Sequence, residues 1–115
     1  MEKLAWTYIE LESELMDAIA LSVSLPCLFF KHSTRCIVSS MALKSFEKEW
    51  VGSDQISLFF IDLISHRSVS SLLASETNVI HQSPQVVVLK NKQVIYHASH
   101  HVIDAKLIYE TIFPV

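Results

Sequence analysis

The sequence predicts an α/β domain: a mixed four-stranded sheet with helices on both faces and a possible extra N-terminal strand. Three observations predict it. Leu25–Phe30 and Ile56–Asp62 are short apolar runs of the kind that fill buried central strands. A helical pattern lies between them, and strand, helix, strand of these lengths makes a right-handed crossover and a parallel pair. Further on, Gln85–Lys90 and Gln93–Ala98 are β-rich runs joined only by Asn91-Lys92. So short a connection is a hairpin, and its strands are antiparallel.

The elements follow in order. Trp6 to Leu11 is a short strand or an extended arm. Ser13 can cap a helix over about Glu14–Ser24, with Leu15, Met16, Ile19 and Val23 on one face. Pro26 leads into the first central strand, a position where proline is tolerated. Lys31 to Arg35 is a polar loop. Ile37–Trp50 is a helix whose large apolar residues fall at 38, 41, 43, 46 and 50. Val51-Gly52-Ser53-Asp54 is a turn, with Gly52 stopping the helix. After the strand Ile56–Asp62, a shorter helix over Ser68–Thr77 carries Val69, Leu72 and Leu73, and Asn78 closes it. The hairpin comes next. Asp104 then caps a last helix, Ala105–Ile112, with Leu107, Ile108 and Ile112 apolar. This order is that of the thioredoxin fold, in which the reactive cysteine follows the first strand of the βαβ unit. No repeat or linker divides the chain, so residues 1–115 read as a single thioredoxin-like domain.

Composition narrows the function. Half of the 115 residues are hydrophobic and 18% are charged, which excludes disorder. A net charge of −3 without a basic run gives no support to nucleic-acid binding. The single glycine leaves no phosphate-cradling loop. The longest uncharged stretch, Ala18 to Phe30, is too short for a bilayer and contains Pro26, so no membrane association is expected. No basic-then-apolar leader opens the chain, so no secretory signal is expected. Two cysteines of different character point to a reducing compartment, hence a cytoplasmic location.

The chemistry centres on Cys36-Ile37-Val38-Ser39, a C-x-x-S motif at the junction of a strand's end and a helix's start. Unpaired backbone N–H groups and the helix dipole favour negative charge there, which pushes a thiol towards thiolate. Ser39 stands one turn on, where a dithiol protein would carry its second cysteine. Its hydroxyl can hydrogen-bond a thiolate but cannot form a disulfide. The plainer reading makes Cys36 an ordinary small buried residue. The polar run Lys31-His32-Ser33-Thr34-Arg35 is poor company for a core thiol, and positive charge nearby lowers a thiol pKa. Cys36 and Ser39 are therefore the candidate catalytic pair, with His32, Thr34 and Arg35 tuning the thiolate. Cys27, inside the apolar strand, is structural. His97, His100 and His101 lie close in sequence, and His66 and His81 stand in polar connections. Adjacent His100 and His101 diverge and no cysteine is near, so these read as solvated histidines rather than zinc ligands. A Cys–His hydrolase lacks any sign of an oxyanion hole or orienting residue.

Two blocks, Lys31-His32-Ser33-Thr34-Arg35-Cys36-Ile37-Val38-Ser39 and His81-Gln82-Ser83-Pro84-Gln85, resemble those of the bacillithiol-system YtxJ-like proteins, the monothiol bacilliredoxins. The resemblance extends over most of the chain. It implies a thioredoxin fold with Cys36 as the attacking thiol and Pro84 as a cis-proline facing it. It also implies that the backbone before the proline meets the substrate, which makes Ser83 and Pro84 a substrate-facing loop. On its own, a Ser83–Pro84 bond is expected trans, as most X–Pro bonds are. The chain departs from the family at Ile37, where proline is usual. Proline suits the first helical position through its fixed φ, so its loss alters local rigidity.

Two classes of function follow. The first is a monothiol thiol–disulfide oxidoreductase that removes a low-molecular-weight thiol, bacillithiol or a similar one, from S-thiolated client proteins. It binds no cofactor and uses the small thiol as co-substrate, with a second small thiol or a dedicated reductase resetting Cys36. The second is a non-catalytic binding module, or a monothiol protein holding an iron–sulfur cluster between subunits. A brown colour on anaerobic purification separates the cluster reading from the others.

Overall fold

The computed structural model describes residues 4–52 and 54–114. The elements are β1 (Thr7–Tyr8), α1 (Glu12–Leu21), β2 (Cys27–His32), α2 (Ile37–Glu49), β3 (Ser57–Asp62), α3 (Arg67–Thr77), β4 (Gln85–Lys90) and β5 (Gln93–Ser99). A 3₁₀ turn at His100–Val102 and α4 (Ala105–Ile112) complete the chain. The sheet has five strands in the order β1-β3-β2-β4-β5. β1, β3 and β2 run parallel, while β4 is antiparallel to both β2 and β5. The extra N-terminal strand is therefore present, as a two-residue edge.

β2 is apolar on both faces because helices cover both faces, which leaves a central strand no wet side. Odd positions Cys27 and Phe29 join Phe59, Ile61 and Val87 in one core layer with Leu15 and Ile19 of α1 and Val69 and Leu73 of α3. Even positions Leu28 and Phe30 join Val86 and Val88 in a second layer with Phe46 of α2 and Ile108 and Ile112 of α4. Phe30 packs edge-on against Trp6 and Phe46, with ring centroids 5.8 and 5.7 Å away. Burying one such ring contributes roughly 1.5–3 kcal/mol.

Several boundaries differ from expectation. β2 begins at Cys27 and runs through Lys31 and His32, which were expected in a loop. Lys31 pairs with Ile61 on one side and Gln85 on the other, and His32 pairs with Asp62. A strand flanked on both sides continues while its neighbours offer partners, whatever its side chains. Ser13 lies inside α1 rather than capping it: the helix starts after Leu11, and Glu14 Oε1 accepts the Glu10 and Leu11 N–H groups, each at 2.9 Å. Met16 and Val23 are exposed, as are Val38 and Met41 on α2 and Leu107 on α4. In α2 the inward line is Ser39, Phe46 and Trp50, with Ala42 and Leu43 packed beside it. Leu43, Phe46 and Trp50 thus face inward as expected, and only at the start of the helix is the stripe one position along, at Ser39 and Ala42 instead of Val38 and Met41.

The terminators behave as their chemistry dictates. Asn78 closes α3 at φ 58, and Asp104 Oδ1 accepts the Leu107 N–H at 3.0 Å at the start of α4. Asn91 and Lys92 both adopt positive φ, 57 and 64, the conformation a two-residue hairpin turn requires. Gly52, at φ 81, follows α2 two residues after Trp50; Ser53, expected in the same turn, lies outside the described residues.

Candidate active site

β2 ends at His32, and the chain turns through Ser33, Thr34 and Arg35 to Cys36. The Cys36 N–H donates to Ser33 O at 3.2 Å, and the Ser40 N–H donates to Cys36 O at 3.1 Å. Cys36 is thus the residue that opens α2, with extended φ −111 and ψ 121. It is partly exposed, and Thr34, Arg35 and Ile37 beside it are exposed. The N–H groups of the first helical turn have no helical acceptor and gather at this point.

Ser39 lies one turn below and is fully buried. Its Oγ accepts the Ser33 N–H at 3.0 Å and sits 2.7 Å from His32 Nδ1. Among the described residues no hydrogen bond joins Ser39 to Cys36. The direct hydroxyl-to-thiol contact expected from the C-x-x-S spacing is therefore replaced by a bond to the loop beneath the thiol. The cause is the longer β2, which brings His32 under the first turn of α2. His32 is buried, and burial pushes its ring below the ordinary imidazole value. Asp62 across the register, the bond with Ser39 and Glu47 partly oppose that shift. Burial thus favours the neutral form of the His32 ring, which holds the loop through Ser39.

Ser39→Ala leaves the buried Ser33 N–H and His32 Nδ1 without this partner. It should cost about 1–3 kcal/mol in urea unfolding. An unchanged midpoint would show that the bond holds nothing in place.

Lys31 points to the other face of the sheet, where it is fully buried. Its Nζ donates to Gln85 Oε1 at 2.9 Å, and burial pushes the amine down to about 8. The Lys31–Gln85 pairing also sets where the second sequence block falls. Ser83 and Pro84 precede Gln85, so they lie at the end of the sheet from which the Cys36 loop springs. The Ser83–Pro84 bond is cis, Pro84 is buried, and Pro84 O accepts the His100 N–H at 3.0 Å. Ser83 Oγ is buried with no partner among the described residues. His81, in the same connection, lies 3.3 Å from Ser70 Oγ through Nδ1. The sequence reading missed Gln85 and gave Lys31 no role beyond the polar run. The signal available was that lysine and glutamine each sit at the polar end of an otherwise apolar strand.

Cys27 stands at the opposite end of β2. It is fully buried, its Sγ lies 3.6 Å from Ala18 O, and burial pushes its thiol up to about 11. Timed alkylation near neutral pH with peptide mapping should label Cys36 and spare Cys27. Preferential labelling of Cys27 would reverse the assignment. Among the described residues no three His, Cys, Asp or Glu side chains converge as metal ligands, and no helix is long and apolar enough to cross a membrane.

A thioredoxin-type sheet that presents one accessible cysteine at a helix start, with serine one turn on, defines the class of one-cysteine thiol oxidoreductases. Solved structures agree on the fold. A protein described by its thioredoxin fold matches at 21% identity with a TM-score of 0.77, covering 90% of each chain. Thioredoxin from Malassezia sympodialis matches at 16% and 0.72, over 97% of this chain and 92% of that one. Mitochondrial thioredoxin 3 from Saccharomyces cerevisiae matches at 13% and 0.70, over 96% of each. The family model described as monothiol bacilliredoxin BrxC matches residues 7–108. The chain belongs to the monothiol bacilliredoxin family.

Proposed function

We propose that the protein removes a low-molecular-weight thiol, bacillithiol or a close analogue, from mixed disulfides on client proteins. The Cys36 thiolate attacks the small-thiol sulfur of the mixed disulfide. The bond to the client sulfur breaks, the client leaves as its thiolate, and Cys36 carries the small thiol as a new disulfide. A second small-thiol thiolate then attacks that sulfur, restoring Cys36 and leaving as the symmetric disulfide; a dedicated reductase could serve instead. Electrons balance at each exchange without a bound cofactor. The observation that carries this reading is the family match over residues 7–108 together with a single accessible thiol, Cys36, set apart from Cys27. The chemistry suits a reducing compartment, and we assign the protein to the cytoplasm on that ground.

The test is a client protein carrying bacillithiol on one cysteine, with a glutathionylated copy of the same client beside it. The expected result is release of free client thiol, faster from the bacillithiol form, with the small-thiol mass transferred to Cys36. Client release no faster than with free small thiol alone sinks the reading.

A further inference from the structure

Lys31 is a buried cation that the exchange chemistry does not use. It is 0% exposed, and its amine meets a neutral carboxamide, that of Gln85, rather than a carboxylate. The backbone pairing of β2 does not depend on it, and an aliphatic side chain would fill the same space without desolvating an amine. Gln85, 2% exposed, is committed at both ends of its carboxamide. Oε1 accepts from Lys31 and, at 3.4 Å, from the Gln82 N–H; Nε2 donates to Ile80 O at 3.0 Å. Of the three partners that orient the carboxamide, Lys31 makes the shortest bond and is the only charged one. A donor at position 31 holds the oxygen towards β2, which reinforces the placement of the amide NH₂ on the Ile80 carbonyl. Without it the oxygen keeps only the 3.4 Å bond from Gln82, so the carboxamide is held less firmly and its bonds to Ile80 and Gln82 loosen.

The segment fastened in this way is Ile80–Pro84, which reaches the Cys36 end of the sheet. We propose that Lys31 is a positioning residue. Acting through the Gln85 carboxamide, it holds the Ile80–Pro84 loop in the conformation that receives the small-thiol half of the mixed disulfide opposite Cys36. This rests on the exchange reading given above.

Three variants test it: Lys31→Met, which keeps the volume and removes the donor; Gln85→Glu, which keeps an acceptor for Lys31 and removes the donor to Ile80; and the two together. Two rates are measured on each, exchange of Cys36 with a small-thiol mixed disulfide and alkylation of Cys36 by iodoacetamide, which needs no loop. Either single change should slow exchange about tenfold, the worth of one positioning hydrogen bond, and leave alkylation unchanged. The double variant should be no slower than the singles, because both act on one path. In Lys31→Met the Gln82 amide should also exchange its hydrogen faster. Wild-type exchange rates in both folded single variants, or unaltered protection of Gln82 in Lys31→Met, overturn the inference. Equal losses in exchange and alkylation also overturn it, since they mark a general disturbance of the site. Wild-type protein that exchanges no small thiol overturns the functional reading instead, and the Gln82 measurement then decides the carboxamide argument by itself.

Discussion

Treated with a small-thiol disulfide, the protein gains one adduct mass, on Cys36, and keeps it until free small thiol is added. Cys36→Ser gains none, and its client-release rate falls to that of the uncatalysed exchange. The expectation rests on the absence of a resolving thiol within reach. A disulfide needs its two Cα atoms about 4.4–6.8 Å apart. Cys27 and His32 are the two ends of β2, and five residues of extended strand span about 16 Å before the Cys36 loop begins. Cys27 is also sealed in the α1/α3 core layer with its thiol held up at about 11, far from the form that attacks a disulfide. Ser39 occupies the position of a second cysteine and has no sulfur to offer. Intact mass before and after free thiol, followed by non-reducing peptide mapping, reads the result. A stable Cys27–Cys36 bond in that map would replace the one-cysteine mechanism with an internal redox switch.

Unfolding stability should rise between about pH 8 and pH 9 in the wild-type protein, and this rise should be missing from Lys31→Met. Burial lowers the Lys31 amine from its ordinary 10.5 to about 8. Between those values the unfolded chain holds a proton that the native chain has released, so the unfolding free energy increases with pH. The full shift corresponds to about 3 kcal/mol. Cys27 works in the opposite direction. Its thiol moves from 9.0 up to about 11, so above pH 9 the native state holds the extra proton and stability falls. Lys31 therefore acts alone only in the lower part of its range, and the alkaline fall from Cys27 should remain in Lys31→Met. Near neutral pH the variant sheds the cost of a buried ammonium and loses one hydrogen bond to Gln85, for a net gain of about 1–2 kcal/mol. Urea titrations of both proteins across this range give the comparison. Parallel stability curves between pH 8 and pH 9 would mean that Lys31 keeps its ordinary protonation in the folded chain. Together with the expected loss in exchange rate, this makes Lys31 a residue retained for the geometry of the loop at a cost in stability.

The element order, the parallel pair, the hairpin and the capping residues Asn78 and Asp104 were legible in the sequence. Each is dictated by local chemistry: apolar runs bounded by polar residues, a two-residue connection, a side chain able to cap or to take a left-handed conformation. Cys36 was legible for the same reason, as the residue between a strand and a helix that are each recognisable alone. What tertiary structure decided is where β2 ends and what lies under the thiol. Lys31 and His32 look like loop residues until β3 and β4 supply backbone partners for them, and the ladder then carries both into the core. That extension puts His32 against Ser39, so the serine that local spacing aimed at Cys36 is spent on the loop. It also brings Ser39 and Ala42 of α2 inward in place of Val38 and Met41, while Leu43, Phe46 and Trp50 face inward as expected. Helical periodicity permits either placement of the first turns; the one observed gives the buried Ser33 N–H and His32 Nδ1 a partner in Ser39, and leaving those groups unpaired costs more than exposing two apolar side chains.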